Sequence, residues 1–365
     1  MKSVLQVCAF GAPNPGNFIA SLLELQKKME ELGYITIYAF PEKAKEKIWC
    51  KQLAETNRIY FLPEAKARIL PKTYQIFHQI YKENDVRIVH SHFELYDIPA
   101  TVMASKKINV FWHLHDPLTI KKDLRGVLWK IQYGLVGKKA YLLSVTDYYK
   151  ELAISLGFPK EQTRTILNCI DVTRIKHCKS HANAKYDFLT FGWDFYRKGD
   201  DIILQACDRL YQDGFRFKLL LNGNEKTWEE LEQFGKIVDR PYLVKGNPVD
   251  NVNELFANAK IFIQASRRET FSYAVCEAAY AGLPVISSDI AGLEWAHEIP
   301  LVDFFESENV EMLYQCMKAK LNLQNETSTI KESYDIIRKK YSLETWVNKI
   351  IDAYKFSDRN GEIKW

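Results

Sequence analysis

The sequence predicts an α/β protein built from two parallel-sheet, Rossmann-like domains, and three observations predict it. Short apolar runs recur, each followed by a turn-forming loop and then a stretch with apolar residues at helical spacing. The pattern restarts at Phe188–Phe191 after a polar, aperiodic segment, His177–Lys185, that reads as a linker. A chain of 365 residues with 47% hydrophobic content can also bury two cores.

The first domain opens strand, loop, helix, strand. Val4–Phe10 reads as the first strand, and Gly11-Ala12-Pro13-Asn14-Pro15-Gly16-Asn17 is rich in turn formers. From Phe18 to Leu32, Ile19, Leu22, Leu23, Leu25 and Met29 recur at roughly helical spacing, and Gly33 ends the helix before the strand Tyr34–Phe40. The loop lacks Gly-x-Gly-x-x-Gly, so a nicotinamide enzyme has little support. Pro41–Lys72 shows no readable period. Val86–Val89 and Asn109–Phe111 read as buried strands, followed by His90-Ser91-His92 and by Trp112-His113-Leu114-His115-Asp116. Open parallel sheets bind ligands at strand carboxyl ends, so these histidines are candidate site residues. A metal ion is one reading of them, because alternate strand residues share a face. Core or capping histidines are the other.

Leu118–Lys139 sets Lys121, Lys122, Arg125, Lys130, Lys138 and Lys139 beside Leu124, Leu128, Trp129, Ile131 and Tyr133. Such a stretch fits an anionic membrane surface, or equally a solvated helix packed on the sheet. Tyr141–Val145 is the next strand, with Thr146 placed to cap the helix after it. Thr163–Leu167 leads into Asn168-Cys169-Ile170-Asp171. We place the first domain at 1–178, the second at 186–342, and a terminal helical segment at 343–365.

In the second domain Phe188–Phe191, Phe217–Leu221, Tyr242–Val244, Ile261–Ile263 and Val285–Ile286 read as strands. Gly192–Gly199 is a loop carrying the basic pair Arg197-Lys198, and Asp200–Leu210 is the helix behind it. Ser272–Ala281 reads as a helix stopped by Gly282 and Pro284. Thr270, Phe271 and Ser272 offer backbone N–H groups at its start, a position that favours a phosphate. No Glu or Gln stands three residues after Ser272, so no capping box occupies those donors. Glu269 precedes this anion site, and Glu277 lies about a turn and a half into the helix. A ligand with a phosphate between two polyhydroxylated ends suits carboxylates so placed, one for the hydroxyls of a sugar and the other for a ribose. The plain alternative is a solvated loop carboxylate and a water-facing helix one.

Glu269-x7-Glu277, framed by Ser266, Phe271, Ala278 and Gly282-x-Pro284-Val285, resembles the donor-site signature of retaining glycosyltransferases of the GT-B fold, family four. The resemblance covers nearly the whole chain, with its specific motifs in 188–296. It implies parallel sheets facing across a cleft, an acceptor held by the first domain, a nucleotide-sugar held by the second, and a last helix that crosses back to the first. It implies that Gly192, Lys198 and Gly199 clamp the donor diphosphate. Trp193 stands where the family has arginine, and Arg197 would supply the missing charge. Lys245-Gly246-Asn247 would lie near the nucleobase, His115 or His113 near the donor sugar, and Gly16 and Asn17 in the acceptor-side loop. Two departures stand out: Gly11 and Gly16 are separated where the family often has adjacent glycines, and Cys169 replaces the glycine of Asn-Gly-x-Asp.

The resemblance therefore implies Glu269, His115 and Lys198 as catalytic residues, and Arg197, Gly192, Gly246, Thr270, Phe271, Ser272 and Glu277 as donor-binding ones. No Asp-x-Asp stands at a strand end, so no catalytic metal and no cofactor beyond the nucleotide-sugar are expected. Lys198, Arg197 and the amides after Glu269 would take the cation's place on the leaving diphosphate. The expected partners are a UDP-sugar and a glycan or lipid-linked glycan acceptor, and the expected setting is bacterial surface polysaccharide assembly.

Composition agrees with that class. A net charge of +4 does not demand nucleic acid, and permits an anionic ligand or a membrane surface. The 7 cysteines show no metal-site spacing and fit reduced thiols in a cytoplasmic protein. No apolar run is long enough to span a bilayer, so any membrane contact is expected to be peripheral, on the inner surface. Two rivals stay open. A hydrolysing sugar-nucleotide 2-epimerase would need further carboxylates at the sugar carbon, and a non-catalytic GT-B subunit would accommodate Trp193 and Cys169.

Overall fold

The structure is a computed structural model that describes residues 1–118, 124–177, 184–234, 240–249, 251–321 and 327–357. Contacts divide the chain into two units, Met1–Cys169 with Leu343–Trp365, and Ile170–Ser342.

The first unit holds β1 (Lys2–Cys8), β2 (Ile35–Pro41), β3 (Arg58–Leu62), β4 (Asp85–His92), β5 (Asn109–Leu114), β6 (Ala140–Ser144) and β7 (Thr163–Thr165). They form one parallel sheet in the order β3-β2-β1-β4-β5-β6-β7. Strands covered on both faces read as near-continuous apolar runs, which is why β1, β2, β4 and β5 are visible in the sequence. β4 and β5 run further than their apolar runs, so His90, His92 and His113 lie inside strands, with His92 paired to His113. β3 lies at the sheet edge and only Leu62 at its end is buried, so its residues lack a readable apolar pattern.

The helix after β1 spans Gly16–Glu31, and the Pro15 carbonyl already accepts from the Ile19 amide at 3.2 Å. Gly16 and Asn17 therefore belong to the first helical turn, not to the loop where the sequence placed them. The helix Leu343–Ser357 packs Trp346, Val347, Ile350 and Tyr354 into a core with Val4, Leu25, Ile88 and Phe111 of this unit.

The second unit holds β8 (Tyr186–Phe191), β9 (Leu219–Asn222), β10 (Leu243–Gly246), β11 (Ala259–Gln264), β12 (Val285–Asp289) and β13 (Val302–Glu306), ordered β10-β9-β8-β11-β12-β13. All its pairings are parallel. In both sheets the first strand of the unit sits where the order reverses, with β1 between β2 and β4 and β8 between β9 and β11. Such switch points open a crevice at the strand carboxyl ends.

The unit boundary falls after Cys169 instead of at 178. The Ile170 amide donates to the Tyr341 carbonyl at 2.8 Å, and the Lys176 amide donates to Asn253 Oδ1 at 2.7 Å, so this stretch is fastened to the second sheet's surroundings. The centre of the linker read from sequence, 178–183, lies outside the described residues, as do Lys121 and Lys122. Among the described residues no helix is long and apolar enough to cross a membrane.

Candidate active site

In the second unit two loops leave adjacent strands at the switch point. The loop after β8 is not irregular throughout, because Phe195–Lys198 forms a short helical turn ended by Gly199 at φ 73°. That turn aims Lys198 and Arg197 at the loop after β11, which carries Glu269. Gly199 is required there twice over. Its backbone is left-handed, and an added Cβ would stand 2.0 Å from the Ala265 carbonyl oxygen. On the other side Gly292 presses on the Glu269 backbone, where a Cβ would stand 1.9 Å from its carbonyl oxygen.

Glu269 is 9% exposed and is held at one oxygen. Its Oε1 accepts from Lys198 Nζ at 2.6 Å, Ser266 Oγ at 2.9 Å and Gln264 Nε2 at 3.0 Å, with Arg197 Nη1 at 3.5 Å. Among the described residues the side-chain donors to this carboxylate all reach Oε1, which leaves Oε2 for a ligand. Arg197 is steered by Asp194, whose Oδ2 accepts from its Nε at 2.9 Å.

The helix start behind Glu269 differs in one respect from the sequence reading. Helical geometry begins at Tyr273, and Ser272, at φ 56°, is the cap, its hydroxyl accepting from the Val275 amide at 3.5 Å. Ser272 thus uses one first-turn donor itself, as N-cap serines do, so that donor is not left for a phosphate. Phe271 is fixed by stacking on Trp295, ring centroids 4.6 Å apart, and its carbonyl accepts from Trp295 Nε1 at 2.7 Å. Glu277 lies inside this helix, 8% exposed. Gly192 and Gly246 stand at the carboxyl ends of β8 and β10, joined through β9: the Gly192 amide donates to the Asn222 carbonyl and the Gly223 amide to the Gly246 carbonyl.

Arg267 was not singled out in the sequence, yet it clips the two loops together. Its guanidinium binds both oxygens of Asp201 at 2.9 Å, its Nε binds Glu308 at 2.9 Å, and its amide donates to the Arg197 carbonyl at 2.9 Å. An arginine next to Arg268 and Glu269 reads in sequence as one more loop charge, and nothing local marks its partners. Asp200 was missed as well. It is fully buried with both carboxylate oxygens unpartnered, and burial pushes its carboxyl well above the ordinary range.

In the first unit His115 follows β5 and is buried against Phe18 and Phe93, ring centroids 5.5 and 4.7 Å away. Burial lowers it to about 3 against an opposing hydrogen bond that the ring donates to Asn168, so the ring is neutral. His115 and Asn17 lie in this unit; Glu269, Lys198, Arg197, Gly192, Gly246 and Glu277 lie in the other. Ring nitrogens of His90, His92 and His113 come within 4.8 Å of one another, close enough to bind a metal ion. Those nitrogens, however, are engaged with each other and with neighbours: His90 Nε2 lies 3.1 Å from His113 Nδ1, and His92 Nδ1 lies 3.0 Å from His115 Nε2. Cys169 is buried in the core with Ile166 and Trp346. Half-buried Glu94 and buried Asp97 beyond β4 are pushed up to about 8 and about 7 by desolvation, and Glu94 holds a left-handed φ of 57°.

Residues 186–320 match the family described as glycosyl transferases group 1, and residues 20–174 match glycosyltransferase family 4. Curated relatives include the gpi3 subunit of phosphatidylinositol N-acetylglucosaminyltransferase of Schizosaccharomyces pombe, 22% identical over 79% of this chain and 66% of the relative. Another is alpha-galactosylglucosyldiacylglycerol synthase of Streptococcus pneumoniae, 23% identical over 57% of this chain and 55% of the relative. The chain thus spans between about half and two thirds of the length of these relatives. Similar solved structures include a glycosyltransferase of Rickettsia africae, with TM-score 0.80, 16% identity, and 98% and 99% of the two chains covered. HepE of Anabaena in complex with UDP and glucose gives TM-score 0.76, 15% identity, and 96% and 99% covered. At such identities the likeness is one of fold, the GT-B fold.

Proposed function

Because the chain belongs to the group 1, family 4 glycosyltransferases, we propose that it moves a sugar from a UDP-sugar to an acceptor hydroxyl with retention of anomeric configuration and without a metal ion. The observation that carries this reading is the buried Glu269 carboxylate, fixed by Lys198, Ser266 and Gln264 through one oxygen. A carboxylate pinned in this way keeps its second oxygen in place for sugar hydroxyls, which is positioning of the kind that lowers a barrier.

Lys198 is ion-paired with Glu269 at 2.6 Å. A diphosphate in the loop after β8 competes for that ammonium. Negative charge on the leaving diphosphate grows toward the transition state, so Lys198 contributes more there than to donor binding. Arg197, tethered by Asp194, supports the same charge in the place of the arginine that Trp193 replaces. Glu277 holds the ribose, and Gly192 and Gly246 allow the nucleotide close to backbone. The leaving phosphate takes the acceptor proton in a front-face displacement.

The acceptor we assign is a lipid-linked glycan or glycolipid, in bacterial surface glycan assembly on the cytoplasmic side of the membrane. The names of two relatives contain phosphatidylinositol and diacylglycerol, and HepE binds UDP-glucose. The first unit also exposes Val127, Leu128, Ile131 and Leu135 beside exposed Lys130, Lys138 and Lys139. Apolar residues flanked by lysines suit an anionic lipid surface, at about 1 kcal/mol per lysine.

A screen of UDP-, GDP- and ADP-sugars, read by release of nucleoside diphosphate with and without glycolipid acceptors and with EDTA, tests the reading. Acceptor-stimulated, EDTA-resistant UDP release is expected. No release from any donor, together with no UDP binding by calorimetry, would overturn it.

A further inference from the structure

Four histidines meet in the interior of the first unit. His90, His92 and His113 are fully buried and His115 nearly so, and one ring nitrogen from each of His90, His92 and His113 falls within 4.8 Å of the others. They stand in a line of polar contacts. His92 Nδ1 lies 3.0 Å from His115 Nε2, and His92 Nε2 lies 3.0 Å from Gln6 Oε1. Gln6 Nε2 donates to the Tyr354 hydroxyl at 3.5 Å, which lies 2.7 Å from His90 Nδ1. His90 Nε2 lies 3.1 Å from His113 Nδ1. Both ends of the line are acceptors. With Nε2 turned to His92, His115 donates from its other nitrogen to Asn168. At the far end the Ile166 amide donates to the Ser144 carbonyl, so it is the Ile166 carbonyl that favours a proton on His113 Nε2, from just outside hydrogen-bonding geometry.

A neutral imidazole has one N–H donor and one lone-pair acceptor, and an amide oxygen can only accept. Seven contacts join Asn168, His115, His92, Gln6, Tyr354, His90, His113 and Ile166 in that order. The four rings, the phenol and the amide each bring one proton to the line, so one contact is left without any. As the Gln6 amide stands, the bare contact is that of His92 with His115. Their N–H groups point outward, to Gln6 and Asn168, and two lone pairs face each other at 3.0 Å. Turning the amide over repairs this contact and moves the defect to His90 and His113, 3.1 Å apart. Either way the cluster is short of one electrophile, a proton or a metal ion. Desolvation pushes all four rings well below the ordinary histidine range, and so works against a buried imidazolium.

We propose that His90, His92 and His113, with His115 completing the set, hold a structural transition-metal ion of the zinc class in the interior of the first unit. Neutral imidazole nitrogen is a ligand that suits zinc. Nitrogens on a tetrahedral ion with ~2.0 Å bonds stand ~3.3 Å apart, close to the spacing of the two histidine pairs at 3.0 and 3.1 Å. The ion removes the proton defect, because each ring can turn a lone pair inward and its N–H outward onto an oxygen: His115 onto Asn168, His92 onto Gln6, His90 onto Tyr354 and His113 onto Ile166. Outward bonds of this kind fix ring orientation at histidine metal sites. Gln6 lies on β1 and Tyr354 on the helix Leu343–Ser357, so the ion ties that helix to β1, β4 and β5. It takes no part in moving a sugar and stands independently of the transfer reading. EDTA reaches a fully buried ion only when the protein opens, so EDTA-resistant turnover remains the expectation.

The test uses the full-length protein, produced in zinc-replete medium without a histidine tag. Elemental analysis after dialysis against EDTA should find about one zinc per chain, released when the protein is unfolded in denaturant with EDTA. Refolding with Co(II) as the probe should give the visible absorption of a tetrahedral, nitrogen-ligated ion. Zn(II) added to metal-free protein should raise the melting temperature by about 5–10 °C at a hundredfold excess over the dissociation constant. His92→Asn and His113→Asn should each lose the metal, while His78→Asn, at an exposed position, keeps it. If the cluster variants fail to fold, the wild-type protein decides alone: no bound transition metal, with a melting temperature indifferent to Zn(II), overturns the proposal. So does metal retained in full by folded His92→Asn, which marks an adventitious ion on exposed histidines. A metal-free protein whose 15N histidine spectrum shows an imidazolium in the cluster overturns it too, and gives the missing charge to a proton.

Discussion

Lys198 Nζ stands 2.6 Å from Glu269 Oε1, and both side chains are largely buried, at 14% and 10% exposed. Removing one member of such a pair leaves the other charge stranded, at about 3 kcal/mol or more. Lys198→Met should therefore lower thermal stability as well as turnover. Lys198→Met with Glu269→Gln has no stranded charge, so its melting temperature should recover, whereas the turnover of Lys198→Met alone, measured where that variant is fully folded, should be roughly 10²–10³-fold down. Wild-type turnover in folded Lys198→Met would mean that Lys198 acts only as a counter-ion to Glu269.

Glu277 is a buried carboxylate on the same helix that Ser272 caps. A ribose hydroxyl bound to a charged acceptor contributes about 1.5–3 kcal/mol. Glu277→Gln, which keeps the shape and loses the charge, should weaken UDP binding by roughly tenfold in titration calorimetry, with an unchanged melting temperature. Equal UDP affinity would remove Glu277 from the ribose site.

Gly199 holds φ 73° with the Ala265 carbonyl oxygen where a Cβ would go. Gly199→Ala should cost about 3 kcal/mol from strain and displacement together. It should also move the turn that carries Lys198, so turnover should fall further than stability alone explains at a temperature where the variant is fully folded. A folded variant with full turnover would show that the loop tolerates being pushed off Ala265.

Much of this was legible in the sequence, and for identifiable reasons. β1, β8 and β11 are buried on both faces, and such strands leave continuous apolar runs that turn residues then punctuate. The spacing of Glu269 and Glu277 with its Ser266 and Pro284 frame was legible because a strand, a loop and a helix start are each local events. Long-range pairing was not. Nothing near Arg267 announces that Asp201, Glu308 and the Arg197 carbonyl converge on it. The histidines after Val89 read as strand ends because polarity there mimics a boundary, whereas in the fold they remain in β4 and satisfy one another across the sheet. Edge strands β3 and β13 escaped notice because a half-exposed strand does not show an apolar run.

Asp200 gives a prediction in pH. It is fully buried, both oxygens lack partners, and desolvation, opposed by Lys198, holds its carboxyl well above the ordinary value. The unfolded chain titrates this group near pH ~4, so above that pH the folded state binds the extra proton. Stability from this group is then fully present below the unfolded pKa and declines as pH rises through the folded one. Asparagine mimics the protonated acid without that liability. Asp200→Asn should be more stable than wild type at pH 8 by on the order of 1–3 kcal/mol, and the gap should close toward pH 4. Melting curves of the two proteins across that range provide the measurement. Parallel curves at every pH would mean that the Asp200 carboxylate is ionised in the folded protein and has a partner.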